Sequence, residues 1–466
     1  MGDDWVPLCK RERLPLIHVL GIAAATLAGT LLWTIVFALF NPLASKLYLS
    51  NTVRTVILLM GSLIGFLVQP IVGVISDGLM MRWGRRRIFM IIGGLFLTLA
   101  LFLMMFCVEI GTSINKTNPL GAQQGFLIFG MILTFFAGNI LQGPARTLCS
   151  DVCPPQQQVL MSSICGVYGG VGGVFTNLIG ALSLYQYTSL TQEQFILVVC
   201  LSISFFCVML TIFVTHEEPL EEKPSSANPF AVLYRAMKEI NSTYFRIAMV
   251  YFMAMIASYQ IGIQLTDFMG AVIFGGNNEL NANPEDVELY QKGVSWAMMC
   301  QVVSCGVQFL YGFVNSKVCD IIGLKWVFFV TLTLLGVMYL LFFFVKNRIA
   351  YIIMHVPIGV AVVCYNNLPP AVVTLITPTE KLGAALALLN CFNVIGQQVS
   401  NFGIGMGVAK AWPGKPGHLV GISCIFAFLG AILCFWLIVP ESKPKDIEDI
   451  SATDSDESSS DQPAAL

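Results

Sequence analysis

Apolar runs long enough to cross a bilayer recur from one end of this chain to the other, and that recurrence constrains its fold more than any other feature. A helix needs about 20 residues to span the ~30 Å hydrocarbon core, where no water satisfies the backbone, so consecutive runs of this length must be helices. Of 466 residues, 56% are hydrophobic and 11% charged, against about 25% charged in soluble domains. The mean hydropathy is +0.76. Twelve spans are expected, near 16–40, 52–77, 87–108, 124–149, 159–183, 195–215, 245–269, 290–314, 324–345, 349–374, 381–407 and 418–439. The expected fold is therefore all-α and membrane-embedded. An even number of crossings puts both termini on one side. Placing them in the cytosol gives cytosolic segments the larger share of Lys and Arg, including Lys10, Arg11 and Arg13, as the positive-inside bias requires.

The long polar stretch 216–243 divides the spans evenly, predicting an N-terminal six-helix bundle over 1–215, a cytosolic linker and a second bundle over 244–439. The acidic, serine-rich segment 440–466 is too polar to bury a core and is expected to be disordered. The first span is too long for a signal-peptide core, so no cleavable leader is expected. Asn115-Lys116-Thr117 is a glycosylation sequon on a predicted external loop, whereas the sequon at Asn241 falls on the cytosolic side. Most of the 14 cysteines lie inside apolar spans and read as small hydrophobes; Cys149 and Cys153 flank Asp151 without the partners of a metal site. The net charge of −2, with no basic face, gives no reason to expect nucleic acid. No nucleotide loop, metal cluster or nucleophile–base pair is recognisable, so neither a cofactor nor an enzymatic activity is expected.

What remains to carry function is the polar residues inside the spans. In 137–151, Asn139, Gln142 and Arg146 share one helical face, and Pro144 bends the helix beside them. An arginine at mid-membrane costs roughly 2.5–3.5 kcal/mol, so Arg146 either faces a cavity or snorkels to the interface. The seventh span carries Gln260, Gln264 and Asp267 as a stripe, the tenth carries Tyr365 and Asn366, and the eleventh Asn390, Asn393 and Gln397. Amides in hydrocarbon need partners, so these either glue helices together or line a polar path. Amides that both donate and accept suit a polyhydroxylated substrate, with Trp33 a candidate platform for its C–H faces. Asp267 is the one acid among the stripes, hence the candidate for proton coupling. Asp77 and Asp151, near Arg85 and Arg86, read as a cytosolic gate.

The halves echo each other. Gly73-Val-Ile-Ser-Asp77 with Gly84-Arg85-Arg86-Arg87 is matched by Gly312 and Gly323-Leu324-Lys325 at the same separation, as in transporters built from two related halves. The first copy resembles the signature loop of the major facilitator superfamily. Gln69-Pro70-Ile71-Val72-Gly73, Asn139-x-x-Gln142-Gly143-Pro144-x-Arg146, Asp151-Val152-Cys153 and Thr266-Asp267-Phe268-Met269-Gly270 narrow the likeness. So do Tyr290-x-x-Gly293-Val294 and Leu389-Asn390 with Gln397: together they resemble the sucrose–proton symporters of plants and their animal relatives. That resemblance implies two pseudo-symmetric bundles and alternating-access transport of a sugar or related polar solute in a plasma or organelle membrane. It also implies a proton partner, but the sequence departs from the pattern there. Phe135 stands where the family's fourth span carries an acid. Leu265, Ala271, Val272 and Ser295 replace other charged positions. Transport with or without a proton thus stays open, and a non-transporting receptor or scaffold that kept the fold is the second reading.

Overall fold

In a computed structural model, the apolar runs are helices. The structure describes residues 7–77, 79–81, 83–154, 157–217, 231, 237–238, 241–377 and 382–438. The main helices are α1 (Leu16–Lys46), α2 (Asn51–Asp77), α3 (Arg87–Met105), α4 (Pro119–Val152), α5 (Gln158–Ala181) and α6 (Gln192–Val214). They continue with α7 (Ser242–Asp267), α8 (Pro284–Ile322), α9 (Leu324–Leu340), α10 (Arg348–Ile376) and α11 (Leu382–Val399). The two runs Pro416–Ile422 and Cys424–Cys434 together form α12.

Local chemistry starts them where they start. Pro119 and Pro284 occupy first-turn positions of α4 and α8, where a missing N–H costs nothing. Thr191 accepts from the Gln194 amide while the Gln194 side chain accepts from the Thr191 amide, a reciprocal cap on α6. Asn241 Oδ1 accepts from Tyr244 N at 2.7 Å and caps α7.

Eleven helices among the described residues are long and apolar enough to cross a membrane. The span expected over 381–407 is not among them; its described residues form the 18-residue α11 and a nine-residue π-helix, Ser400–Val408. A second π-helix, Phe268–Ile273, prolongs α7 beyond Asp267. The outward faces are apolar: α6 alone exposes Phe205, Phe206 and Phe213. Residues of that kind need lipid around them.

Two apolar cores form. One runs from Leu8 to Ile212, and Tyr259, Ile263, Tyr290, Val294 and Met298 of the second half intrude into it. The other runs from Tyr244 to Leu437. The intruding residues come from α7 and the start of α8, so the halves interlock chiefly at the end where α1 turns into α2. Hydrogen bonds between the halves gather at the same end among the described residues. Asn41 Nδ2 donates to Ile263 O, Asn278 Nδ2 to Pro42 O at 2.9 Å, and Tyr185 OH to Gln291 Oε1 at 3.0 Å. Close approach is built in there by glycine: a Cβ on Gly293 of α8 would sit 2.5 Å from the Gly270 Cα. Most of segment 216–243 and all of 440–466 lie outside the described residues.

Candidate functional site: a cavity between the halves

Between the interlocked end and the α2–α3 end lies a cavity of about 240 Å³. The first half lines it with Trp33 and Phe37 of α1, Ser62 and Gln69 of α2, and Phe135, Asn139 and Gln142 of α4. From the second half come Tyr259 of α7 and Asn390, Asn393 and Gln397 of α11. The helical spacing of the α11 amides makes them a ladder: Gln397 Nε2 donates to Asn393 Oδ1 at 3.0 Å, and Asn393 Nδ2 to Asn390 Oδ1 at 3.2 Å. Asn139 is anchored by its own helix, its Nδ2 donating to Phe135 O at 2.8 Å. Gln142 Oε1 accepts from Trp33 Nε1 at 3.4 Å. The aromatic rings form a chain across the cavity. Trp33 lies 6.3 Å from Phe135 and 6.4 Å from Phe37, which meets Tyr259 edge-on at 6.0 Å. Glycine makes room for this wall: a Cβ at Gly61 would lie 2.6 Å from the Phe135 ring. No charged residue lines the cavity among the described residues.

At the α1–α2 end is a second, larger cavity of about 430 Å³, a vestibule that contains Asp267. The carboxylate accepts from Ser45 Oγ at 3.2 Å, Arg54 Nη1 at 3.1 Å and the Tyr290 hydroxyl. Ser45 and Arg54 belong to the first half, Asp267 and Tyr290 to the second, so one carboxylate ties the halves together. Arg54 is held in place by its Nε donating to Leu49 O at 2.8 Å. Sequence reasoning passed over Arg54. The signal was there, a single arginine in the first turn of an otherwise apolar span, but nothing local says which acid it meets.

Between vestibule and central cavity lies a narrow polar neck of about 20 Å³, lined by Asn41, Arg54, Thr55, Gln260, Gln264 and Asn401 among others. Gln260 Nε2 donates to Ser400 O and Oγ at 2.9 and 3.2 Å.

The sequence-derived candidates therefore part into groups. Asn139, Gln142, Asn390, Asn393 and Gln397 come together around the central cavity. Gln260 lies in the neck, Gln264 in neck and vestibule, and Asp267 in the vestibule. Three candidates reach none of these cavities. Arg146 is exposed and Asn366 likewise, while Tyr365 is buried in the core of the second half. Helical periodicity puts Arg146 on the same broad face as Gln142, yet one turn further on the α4 face has left the cavity wall. The cation that Asp267 meets is Arg54, not Arg146.

At the α2–α3 end, Arg85 Nη2 and Arg86 Nε reach Asp151 Oδ2 at 2.9 and 3.1 Å, and Arg86 Nη1 donates to Ser76 Oγ. These bonds join α2, α3 and α4, all in the first half. The Asp77 side chain lies outside the described residues. Glu217, which follows α6, accepts from the backbone N–H groups of Arg86 and Arg87 at 3.0–3.1 Å. An anion there neutralises the orphan donors at the start of α3. Just beyond α4, burial pushes the Cys153 thiol up, with Cys165 nearby adding to the shift; a neutral thiol of that kind is a poor nucleophile.

Comparison with known proteins agrees with this architecture. The chain is 23% identical to the sucrose transport protein SUT5 of Oryza sativa over 437 residues, covering 88% of this chain and 77% of the relative. To the sucrose transport protein SUC4 of Arabidopsis thaliana it is 22% identical over 485 residues, 94% and 92% of the two chains. To the general alpha-glucoside permease of Schizosaccharomyces pombe it is 26% identical over 295 residues, 61% and 53%. Among solved structures, the nucleoside transporter NupG superposes with a TM-score of 0.63 at 13% identity over 90% of this chain and 98% of that one. A bacterial homolog of the human lysosomal transporter Spinster, in an inward-facing and occupied conformation, gives 0.60 at 14% identity over 90% and 96%. At such identities these two establish the fold alone. The Major Facilitator Superfamily sequence profile matches residues 22–282 and 262–459, which together take in both helical halves and the cavity between them. A multi-pass membrane chain with this match belongs to the Major Facilitator Superfamily.

Proposed function

We propose that this protein carries a neutral, polyhydroxylated small molecule, a sugar, across a plasma or organelle membrane by alternating access. The observation that carries the reading is the lining of the central cavity: six amides, a serine, a tyrosine and an aromatic wall, with no charge among the described residues. Amides and hydroxyls both donate and accept, as sugar hydroxyls do, and the faces of Trp33 and Phe135 suit their C–H surfaces. An ionic substrate would lose its hydration there without meeting a counter-charge, at a cost of several kcal/mol. The names of the sucrose and alpha-glucoside relatives point to the same substrate class.

In this reading the protein crosses the membrane twelve times, with α11 and its π-helical continuation as the remaining crossing. Residues 1–215 and 244–439 are the two moving bodies, joined by a cytosolic linker at 216–243. Both termini are cytosolic, which makes the α1–α2 end external. The external end is then closed and the structure faces inward. Asp267 is the external latch, its bonds to Arg54 and Ser45 broken whenever that end opens. A proton would act there: protonating the carboxylate removes the ion pair, so any coupling runs through the latch and not through a cavity acid. Asp77, Arg85, Arg86 and Asp151 would serve the opposite end when it closes.

Purified protein in liposomes, offered labelled mono- and disaccharides with and without a pH gradient, tests the reading. Saturable sugar uptake inhibited by Trp33→Ala is expected. Absence of saturable uptake, with a protein partner bound through 216–243 or 440–466, would favour a receptor instead. Gradient-independent uptake that survives Asp267→Asn would remove the proton from the scheme.

A further inference from the structure

Between the external vestibule and the central cavity, two side-chain amides face the same small space and each keeps an unused hydrogen-bonding atom. Gln260 is fully buried; its Nε2 is bonded to Ser400, but its Oε1 meets no donor. Asn401 is 2% exposed, and its Nδ2 meets no acceptor. The Tyr259 hydroxyl lies beside Asn401 and interacts with it, but Asn401 Nδ2 has no acceptor at full hydrogen-bonding geometry. Leaving a buried amide atom unpaired costs more than the bond itself is worth, and here there are two of opposite character.

The neck that both side chains line has a volume of about 20 Å³. A water needs ~10–15 Å³ and polar partners to bind. It accepts from one group and donates to another, so it satisfies this pair whichever way the Asn401 amide is turned. A cation would satisfy Gln260 Oε1, but Arg54 lines the same neck and repels it. A sugar is too large.

We propose that the neck binds a single ordered water between Gln260 Oε1 and Asn401 Nδ2, and that this water completes the seal of the external end. The site is made by both halves: Arg54 and Thr55 come from α2, and Gln260 and Asn401 from α7 and the π-helix after α11. It exists only while that end is closed. Its role as a seal rests on the alternating-access reading; its occupancy does not.

Gly405 provides the test. A Cβ there would lie 3.5 Å from Thr55 Oγ1, 3.6 Å from Gln260 Nε2 and 3.9 Å from Asn401 Oδ1, ordinary contacts, so Gly405→Ala puts a methyl into the neck without a clash. If the neck holds water, the methyl expels it and strands both amides, lowering the unfolding midpoint of the full-length protein by about 2 °C or more. In a dry neck the same methyl fills a void and the midpoint stays or rises, which overturns the proposal. The loss should shrink in a Gln260→Met background, where one stranded atom is already gone; an undiminished loss counts against water. A midpoint higher in sodium than in potassium or choline would replace the water with a cation. For the seal, a cysteine placed at Leu58, which borders both neck and central cavity, should react faster with an impermeant thiol reagent from the α1–α2 side in Gly405→Ala. Unchanged labelling despite a lowered midpoint overturns the seal and leaves the water site standing.

Discussion

Asp267 joins α1, α2 and α8 to α7 through one carboxylate, and its 14% exposure keeps the pair with Arg54 out of bulk solvent. Hydrogen bonds to a charged group contribute about 1.5–3 kcal/mol each, against about 0–1 for an exposed pair. Asp267→Asn should therefore shift the protein toward opening at the α1–α2 end by roughly tenfold or more, read as faster labelling of a vestibule cysteine by an impermeant reagent. Arg54→Gln should do the same, and the double variant should add little to either single one. In the central cavity, an amide that bonds substrate contributes about one hydrogen bond. Asn139→Leu or Gln397→Leu should thus raise the KM for a transported sugar by about tenfold without altering the unfolding midpoint much. The α11 and α4 amides were legible as a set because their helical spacing puts them on one face. Arg146 was legible only as an anomaly: its periodicity says which way it points from its own helix axis, but not where the neighbouring half ends.

At the scale of elements, the α2–α3 turn and its echo before α9 share a backbone device. Gly84 has φ +100° and Gly323 φ +89°, a conformation that residues with a Cβ adopt only under strain. The two differ in surroundings. A Cβ at Gly84 would come within 2.5 Å of Glu217 Oε1, whereas at Gly323 the nearest atom is Trp326 Cδ1 at 3.8 Å. Gly323→Ala should cost about 1–3 kcal/mol of backbone strain, and Gly84→Ala more, because it also displaces the carboxylate that caps α3. Denaturation of the two variants side by side checks the order. The contribution of Glu217 was invisible in the sequence because it arrives from the far end of α6. The same limit applied to α11: its polar stripe reads as one continuous span, but the path bulges into a π-helix after Val399, as helices often do near functional sites.

For the whole molecule, topology ties these pieces together. Asn115 is exposed, and its Oδ1 accepts from Thr117 Oγ1 and Asn118 N at 3.0 Å in the short loop before α4. If the termini are cytosolic, this loop is external. Expression in a glycosylating cell should then give a glycan that Asn115→Gln removes, whereas Asn241→Gln should leave mobility unchanged on a gel. A glycan confined to Asn241 would invert the assigned orientation. The sequence by itself determined that the chain is helical and membrane-embedded, because long apolar runs leave the backbone no other partner in lipid. It also marked amide faces that could meet across a cavity. What the tertiary structure alone decided is the pairing: which cation Asp267 holds, which amides share the neck, and at which end the halves bond to each other. Periodicity fixes a side chain's direction about its own helix axis. Distance to a partner 213 residues away, as between Arg54 and Asp267, is set by how helices far apart in the chain pack against each other.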